Sequence, residues 1–169
     1  MGSNCIFIAI VFFSSCISVV FCDREGFLSL SCGTTSDYID SSGIAWIGDG
    51  PYVKTGNISW PTNAKDSRED APAEAVRFFP DSQIRKCYDL PITNVSSSVV
   101  LVRARFVYQN YDKLERPPAF SISIGTAILS TVRLESSDPW TEEILWPVKS
   151  ETIVFCLHSL PGGGYPVIS

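Results

Sequence analysis

The sequence predicts an all-β fold, a β-sandwich or jelly roll, and three observations carry that prediction. Short segments alternate apolar and polar residues with a period of two. Clusters of Gly, Pro, Asn, Asp and Ser separate them. No stretch of a dozen residues sets apolar side chains at helical spacing without a Pro or Gly in it.

The strands follow in order. Residues 27–32 set Leu28, Leu30 and Cys32 against Ser29 and Ser31, and short candidates come next at 44–47, 75–79 and 85–88. Residues 99–108 place Val100, Val102, Ala104, Phe106 and Tyr108 on one face, with Arg103 and Arg105 on the other, which is the pattern of a half-buried strand. Residues 120–124 alternate cleanly, and further runs lie at 129–134 and 144–148. Residues 152–158 are apolar on both faces, as a strand inside a sheet would be. Turns are expected at 48–51, 79–81, 116–118, 136–139 and 161–164, and residues 63–72 read as a loop.

Apolarity is uneven along the 169 residues. No charge occurs before Asp23, and the run from Cys5 to Cys22 is almost wholly hydrophobic, interrupted by Ser14, Ser15 and Ser18. That pattern predicts a secretory signal peptide over residues 1–22, with Val20 and Cys22 before the cleavage point and a single domain over 23–169. The net charge of −5 offers no basic stripe for nucleic acid. With the leader removed, Cys32, Cys87 and Cys156 remain, one disulfide and one leftover thiol, and three pairings are open. Asn57-Ile58-Ser59 and Asn94-Val95-Ser96 are N-glycosylation sequons suited to a secreted chain, so Asn57 and Asn94 are expected acceptors.

Catalytic chemistry finds little support. His158 stands alone and closes a strand, without the Cys or His companions a zinc site needs. There is no G-x-S-x-G, no P-loop and no dinucleotide fingerprint, and Gly162-Gly163-Gly164 sits between prolines as a loop. No cofactor, metal or catalytic residue is expected. Aromatic residues are more suggestive, since Trp46, Tyr52, Trp60, Tyr108, Tyr111 and Trp140 lie near turns, where rings stack on sugar faces or anchor the core.

Several blocks then coincide in order: Leu30-Ser31-Cys32-Gly33; Gly43-Ile44-Ala45-Trp46-Ile47 with Asp49 and Tyr52; Val76-Arg77-Phe78-Phe79-Pro80; Arg85-Lys86-Cys87-Tyr88-Asp89-Leu90-Pro91; and Arg103 to Asp112 with its Tyr108-Gln109-Asn110-Tyr111-Asp112 end. Together they resemble the plant malectin-like domain, the N-terminal module of leucine-rich-repeat receptor kinases and related receptor-like proteins. The resemblance implies a jelly-roll β-sandwich akin to carbohydrate-binding modules, displayed outside the cell and non-catalytic. Its ligand would be an oligosaccharide or cell-wall polysaccharide, or else a secreted peptide or co-receptor. It also implies that the full protein continues beyond Ser169, any membrane attachment lying in that continuation. Ligand contacts are expected from Trp46, Asp49 and Tyr52 in one loop and from Tyr108, Asn110, Tyr111 and Asp112 in another, with Tyr111 and Asp112 also suited to bracing their loop. Cys87 with Cys156 is the expected disulfide. Gln109 departs from the family, which often has Gly there, and Leu129 stands where a Trp is common.

Overall fold

The computed structural model describes residues 26–60, 75–80, 85–92, 98–135 and 138–169. The predicted leader, the expected loop at 63–72 and the Asn94 sequon lie outside them. Twelve strands occur among the described residues: β1 (Leu30–Ser31), β2 (Tyr38–Ile39), β3 (Ala45–Gly48), β4 (Asn57–Ser59), β5 (Val76–Phe78), β6 (Cys87–Pro91), β7 (Val99–Phe106), β8 (Ala119–Ile124), β9 (Ala127–Arg133), β10 (Trp140–Pro147), β11 (Thr152–Ser159) and β12 (Val167–Ile168). No helix occurs among the described residues, so the predicted all-β sandwich is what forms.

The first layer is a four-stranded antiparallel sheet in the order β6-β11-β8-β9. β11 sits inside it, paired on both sides; its Ile153, Phe155 and Leu157 face the core, while the other face carries Cys156, disulfide-bonded to Cys87, and the exposed His158. An isolated bridge from Val53 to Tyr88 and the Asp89 N–H to Tyr52 carbonyl bond extend the β6 edge. The second layer joins the antiparallel β10-β7 pair to the three-stranded β12-β5-β4 sheet, where the Ser169 N–H donates to the Arg105 carbonyl at 3.0 Å. Between the layers lie Phe106, Phe120, Ile122, Val132, Phe155 and Leu157, all at least nine-tenths buried, with the Phe106 and Phe120 rings edge to face at 5.4 Å. β1, β2 and β3 form a small separate sheet, with β1 parallel to β3.

Differences from the sequence reading have local causes. Of residues 27–32 only Leu30 and Ser31 form a strand, with the Ser29 carbonyl also accepting the Ile47 N–H at 2.9 Å, while Phe27 is 82% exposed, so the alternation runs beyond the part that β3 pairs with. β7 stops at Phe106, where its ladder with β10 ends at the Trp140 pair. β10 begins at Trp140, four residues before the expected run, because its charged start is matched: Glu143 stands opposite Arg103 and accepts its Nε–H at 2.7 Å. β6 runs later than expected, to Pro91, following its pairing with Thr152–Cys156 of β11.

Candidate functional site

Asp49 follows β3 directly and is 0% exposed. Its carboxylate is fully engaged: Oδ1 takes the Arg77 Nη2 donor at 2.6 Å, and Oδ2 takes Arg77 Nε at 2.7 Å, the Tyr88 hydroxyl at 2.9 Å and the Gly33 N–H at 3.0 Å. This forked ion pair ties the β3 end to β5, β6 and the turn after β1 in one place. Gly33 has φ +82°, and a Cβ there would come within 2.6 Å of the Val76 backbone, so glycine permits both the turn and the approach. The hydrogen bond to Asp49 raises the Arg77 pKa further, and burial pushes the Tyr88 phenol well up.

Cys32 is the free cysteine among the described residues, buried beside this cluster, and its thiol is pushed up to about 12, first by desolvation and then by the Asp49 charge. An unfolded thiol ionises near 9.0, so this contribution to stability is complete below that pH and is lost as pH rises toward 12, with Tyr88 adding in the same direction. Thermal melts should therefore show a falling Tm between pH 9 and 11, and the fall should be shallower in Cys32→Ala. An equal slope in the variant would refute the assignment.

Trp46 sits outside the core. It pairs across β2-β3 with Tyr38, their rings parallel within 12° and 6.3 Å apart. Its indole N–H donates to Asp40 Oδ2 at 3.0 Å, while Asp40 Oδ1 caps the turn by accepting from the Ser42 and Ile44 N–H groups at 2.9 Å. The result is a half-buried, oriented two-ring platform with a carboxylate at its edge. Tyr52 is half-buried and packs against the core.

The second predicted loop is a self-braced turn. The Tyr108 hydroxyl accepts the Arg116 N–H at 2.7 Å and lies 3.1 Å from both Asn110 Oδ1 and Asp112 Oδ1. Those oxygens also accept from the N–H groups of Glu115 and Leu114. Tyr111 is buried, donates to the Tyr165 carbonyl and meets Tyr108 edge-on at 5.4 Å and Phe78 at 5.1 Å. Asn110, Lys113 and Glu115 have positive φ, near 52°, 59° and 53°, and the network holds them there. Gln109 Oε1 and Asp112 Oδ2 are shielded without a hydrogen-bond partner among the described residues.

The structure thus separates the predicted residues. Trp46 faces outward, Asp49 lies in the interior, and Tyr108, Tyr111 and Asp112 brace a loop from which Asn110 is exposed. Sequence reasoning missed Tyr38 and Asp40 as the partners that orient Trp46. It also missed Arg77 and Tyr88 as partners of Asp49, although an arginine inside the apolar run Val76 to Phe79 signals a buried charge in need of a carboxylate. Cys87 and Cys156 are disulfide-bonded across β6 and β11. His158 Nε2 lies 2.8 Å from Ser123 Oγ, but Ser123 is 1% exposed. Among the described residues no cluster of three or more His, Cys, Asp or Glu is placed to hold a metal.

Comparison with known proteins places this arrangement. Residues 30–169 match the family model of the malectin-like domain. A receptor-like protein kinase of Arabidopsis thaliana is 33% identical over 158 residues, covering 90% of this chain and 17% of that protein. A leucine-rich repeat receptor-like serine/threonine-protein kinase of the same plant is 34% identical over 156 residues, covering 87% and 17%. Among solved structures, the ANX1 ectodomain from Arabidopsis thaliana superposes with a TM-score of 0.66 at 20% identity, over 83% of this chain and 39% of that one. The ANX2 ectodomain gives 0.68 at 18%, over 84% and 40%. The chain spans under a fifth of the length of these kinases, and the ectodomains support the fold alone.

Proposed function

The chain belongs to the malectin-like domain family, and from that premise we propose that it is an extracellular, non-catalytic recognition module that binds carbohydrate, as an oligosaccharide or a cell-wall polymer. The observation that carries this reading is the Trp46–Tyr38 platform. Pyranose rings offer an apolar face of C–H groups to an aromatic ring and hydroxyls around the rim. The Trp46 ring, held by Asp40 and stacked with Tyr38, meets the first, and the carboxylate at its edge suits the second. Pre-orientation matters because ring freedom lost on binding would subtract from affinity. Asn110, exposed at the tip of the braced loop, is the other polar contributor from the predicted set. Asp49, Tyr108 and Tyr111 act from beneath by fixing the loops.

Protein recognition is the second reading, and a separate surface favours it. Leu101 (53% exposed) and Leu145 (73% exposed) are cross-strand partners on the outer face of β7-β10, with Val99 and Pro147 beside them on that face. That apolar patch suits a peptide or co-receptor.

One experiment separates the two. The secreted domain is applied to an array of plant oligosaccharides and polysaccharides. Saturable binding that falls about tenfold or more in Trp46→Ala, with an unchanged melting curve, supports the lectin reading, since losing a stacked ring is worth about 1–3 kcal/mol at an analogous base-stacking platform. Silence across the array sinks that reading and leaves the patch around Leu145 as the recognition surface.

A further inference from the structure

We propose that Asn57 carries an N-linked glycan whose first N-acetylglucosamine packs on the chain's own Phe78–Tyr165 surface, at the β4 edge of the β12-β5-β4 sheet. The sequon residues Asn57–Ser59 are β4 itself, at the edge of that sheet. Register places Asn57 directly opposite Phe78 of β5, and Ser59 opposite Val76. Directly opposed residues of an antiparallel pair share a face, with Cβ atoms about 4.5–5.5 Å apart. Asn57 therefore stands on the face that carries the Phe78 ring, which lies 5.1 Å from Tyr111 and 6.5 Å from Tyr165.

Arg77, pointing the other way from β5, reaches Asp49, which also accepts the Tyr88 hydroxyl. The Phe78 face is the opposite one, already covered over Val76 and Val167, both 0% exposed, and Asn57 stands at its β4 edge. The third sequon residue is tied to the same cluster, because the Ser59 hydroxyl donates to the Tyr111 carbonyl at 3.2 Å. Asn57 is exposed while Phe78 and Tyr165 are half-buried, so the rings are ordered by their neighbours and still offer surface beside the acceptor amide. A sugar attached there meets an aromatic face without crossing solvent, and its apolar side covers ring area that water otherwise contacts.

The modification is chemically ordinary. The Asn57 amide nitrogen forms a bond to C1 of an oligosaccharide carried on a lipid pyrophosphate; the bond from C1 to the pyrophosphate oxygen breaks, the lipid pyrophosphate leaves with the electron pair, and the amide gives up one proton. The attached sugar is distinct from any ligand at Trp46, and failure of either idea leaves the other standing.

The test uses the whole chain secreted from a eukaryotic cell line. Peptide mapping should find Asn57 occupied. Trimming with an endoglycosidase that leaves one N-acetylglucosamine should preserve the Tm, whereas Asn57→Gln should lower it by about 3 °C. In a Tyr165→Leu background, or in Phe78→Leu if that variant folds, the gap between trimmed and Asn57→Gln protein should shrink below about 1 °C, and the N-acetyl methyl proton should lose its ring-current shift. A bare Asn57 overturns the proposal. So does a gap of the same size with and without the ring.

Discussion

Asp49→Ala is expected to lower stability by about 3–5 kcal/mol and the Tm by roughly 10 °C or more, enough to leave a marginal domain partly unfolded at 37 °C. The carboxylate is 0% exposed and serves three partners from different parts of the chain. Removing it leaves the Arg77 guanidinium buried without its counter-charge, along with an unpaired Tyr88 hydroxyl and Gly33 N–H. The loss reflects those abandoned groups more than the strength of the pair, and this makes a second variant informative. Asp49→Leu combined with Arg77→Met removes both charges and should be more stable than Asp49→Ala. Recovery stays incomplete, because Tyr88 and Gly33 still lack an acceptor. Urea unfolding followed by tryptophan fluorescence measures both. If Asp49→Ala melts within about 2 °C of the parent, the cluster does not hold the layers together.

The same residue shows where sequence reading reaches its limit. Asp49 follows Gly48 and precedes Gly50-Pro51, a turn signature, and turns are where ligand-contacting carboxylates are expected. Its fate is decided by Arg77 and Tyr88, 28 and 39 residues away, and no local pattern encodes which buried cation meets which carboxylate. Strands were legible where one face is core and the other solvent, as in Val99–Phe106, because burial then imposes a period of two. They were illegible at Tyr38–Ile39 and Asn57–Ser59, short pieces in polar surroundings, and where cross-strand charge pairing replaces alternation, as at the start of β10, whereas the equally short Val76–Phe78 was legible within its apolar run. The braced loop was legible as a block, Tyr108 to Asp112, but its buried side lies against Phe78 of β5 and Tyr165 before β12, both remote in the chain. Trp46 was found because it is bulky and near a turn. That it is outward and oriented depends on Tyr38 and Asp40, whose importance appears only once β2 is seen to pair with β3.

Replacing both Cys87 and Cys156 by alanine is expected to cost about 4 kcal/mol, the loop-closure entropy released to the unfolded chain by opening a link across 69 residues. The two residues are opposed in the β6-β11 ladder, so the folded state already places them side by side, and the alanine variant keeps the ladder's backbone hydrogen bonds. The effect should therefore fall on the unfolded ensemble: a less compact denatured state raises the urea m-value while the midpoint drops. Cys32 gives the experiment its control. Its thiol is buried beside Asp49 and resists ionisation, so in Cys156→Ala the released Cys87 thiol should stay unpaired in the native protein, titrating with a thiol reagent while Cys32 reacts only on unfolding. A midpoint change worth under about 1 kcal/mol in the double variant would mean that the unfolded chain is held compact by other contacts, and the link would then add little to the sandwich.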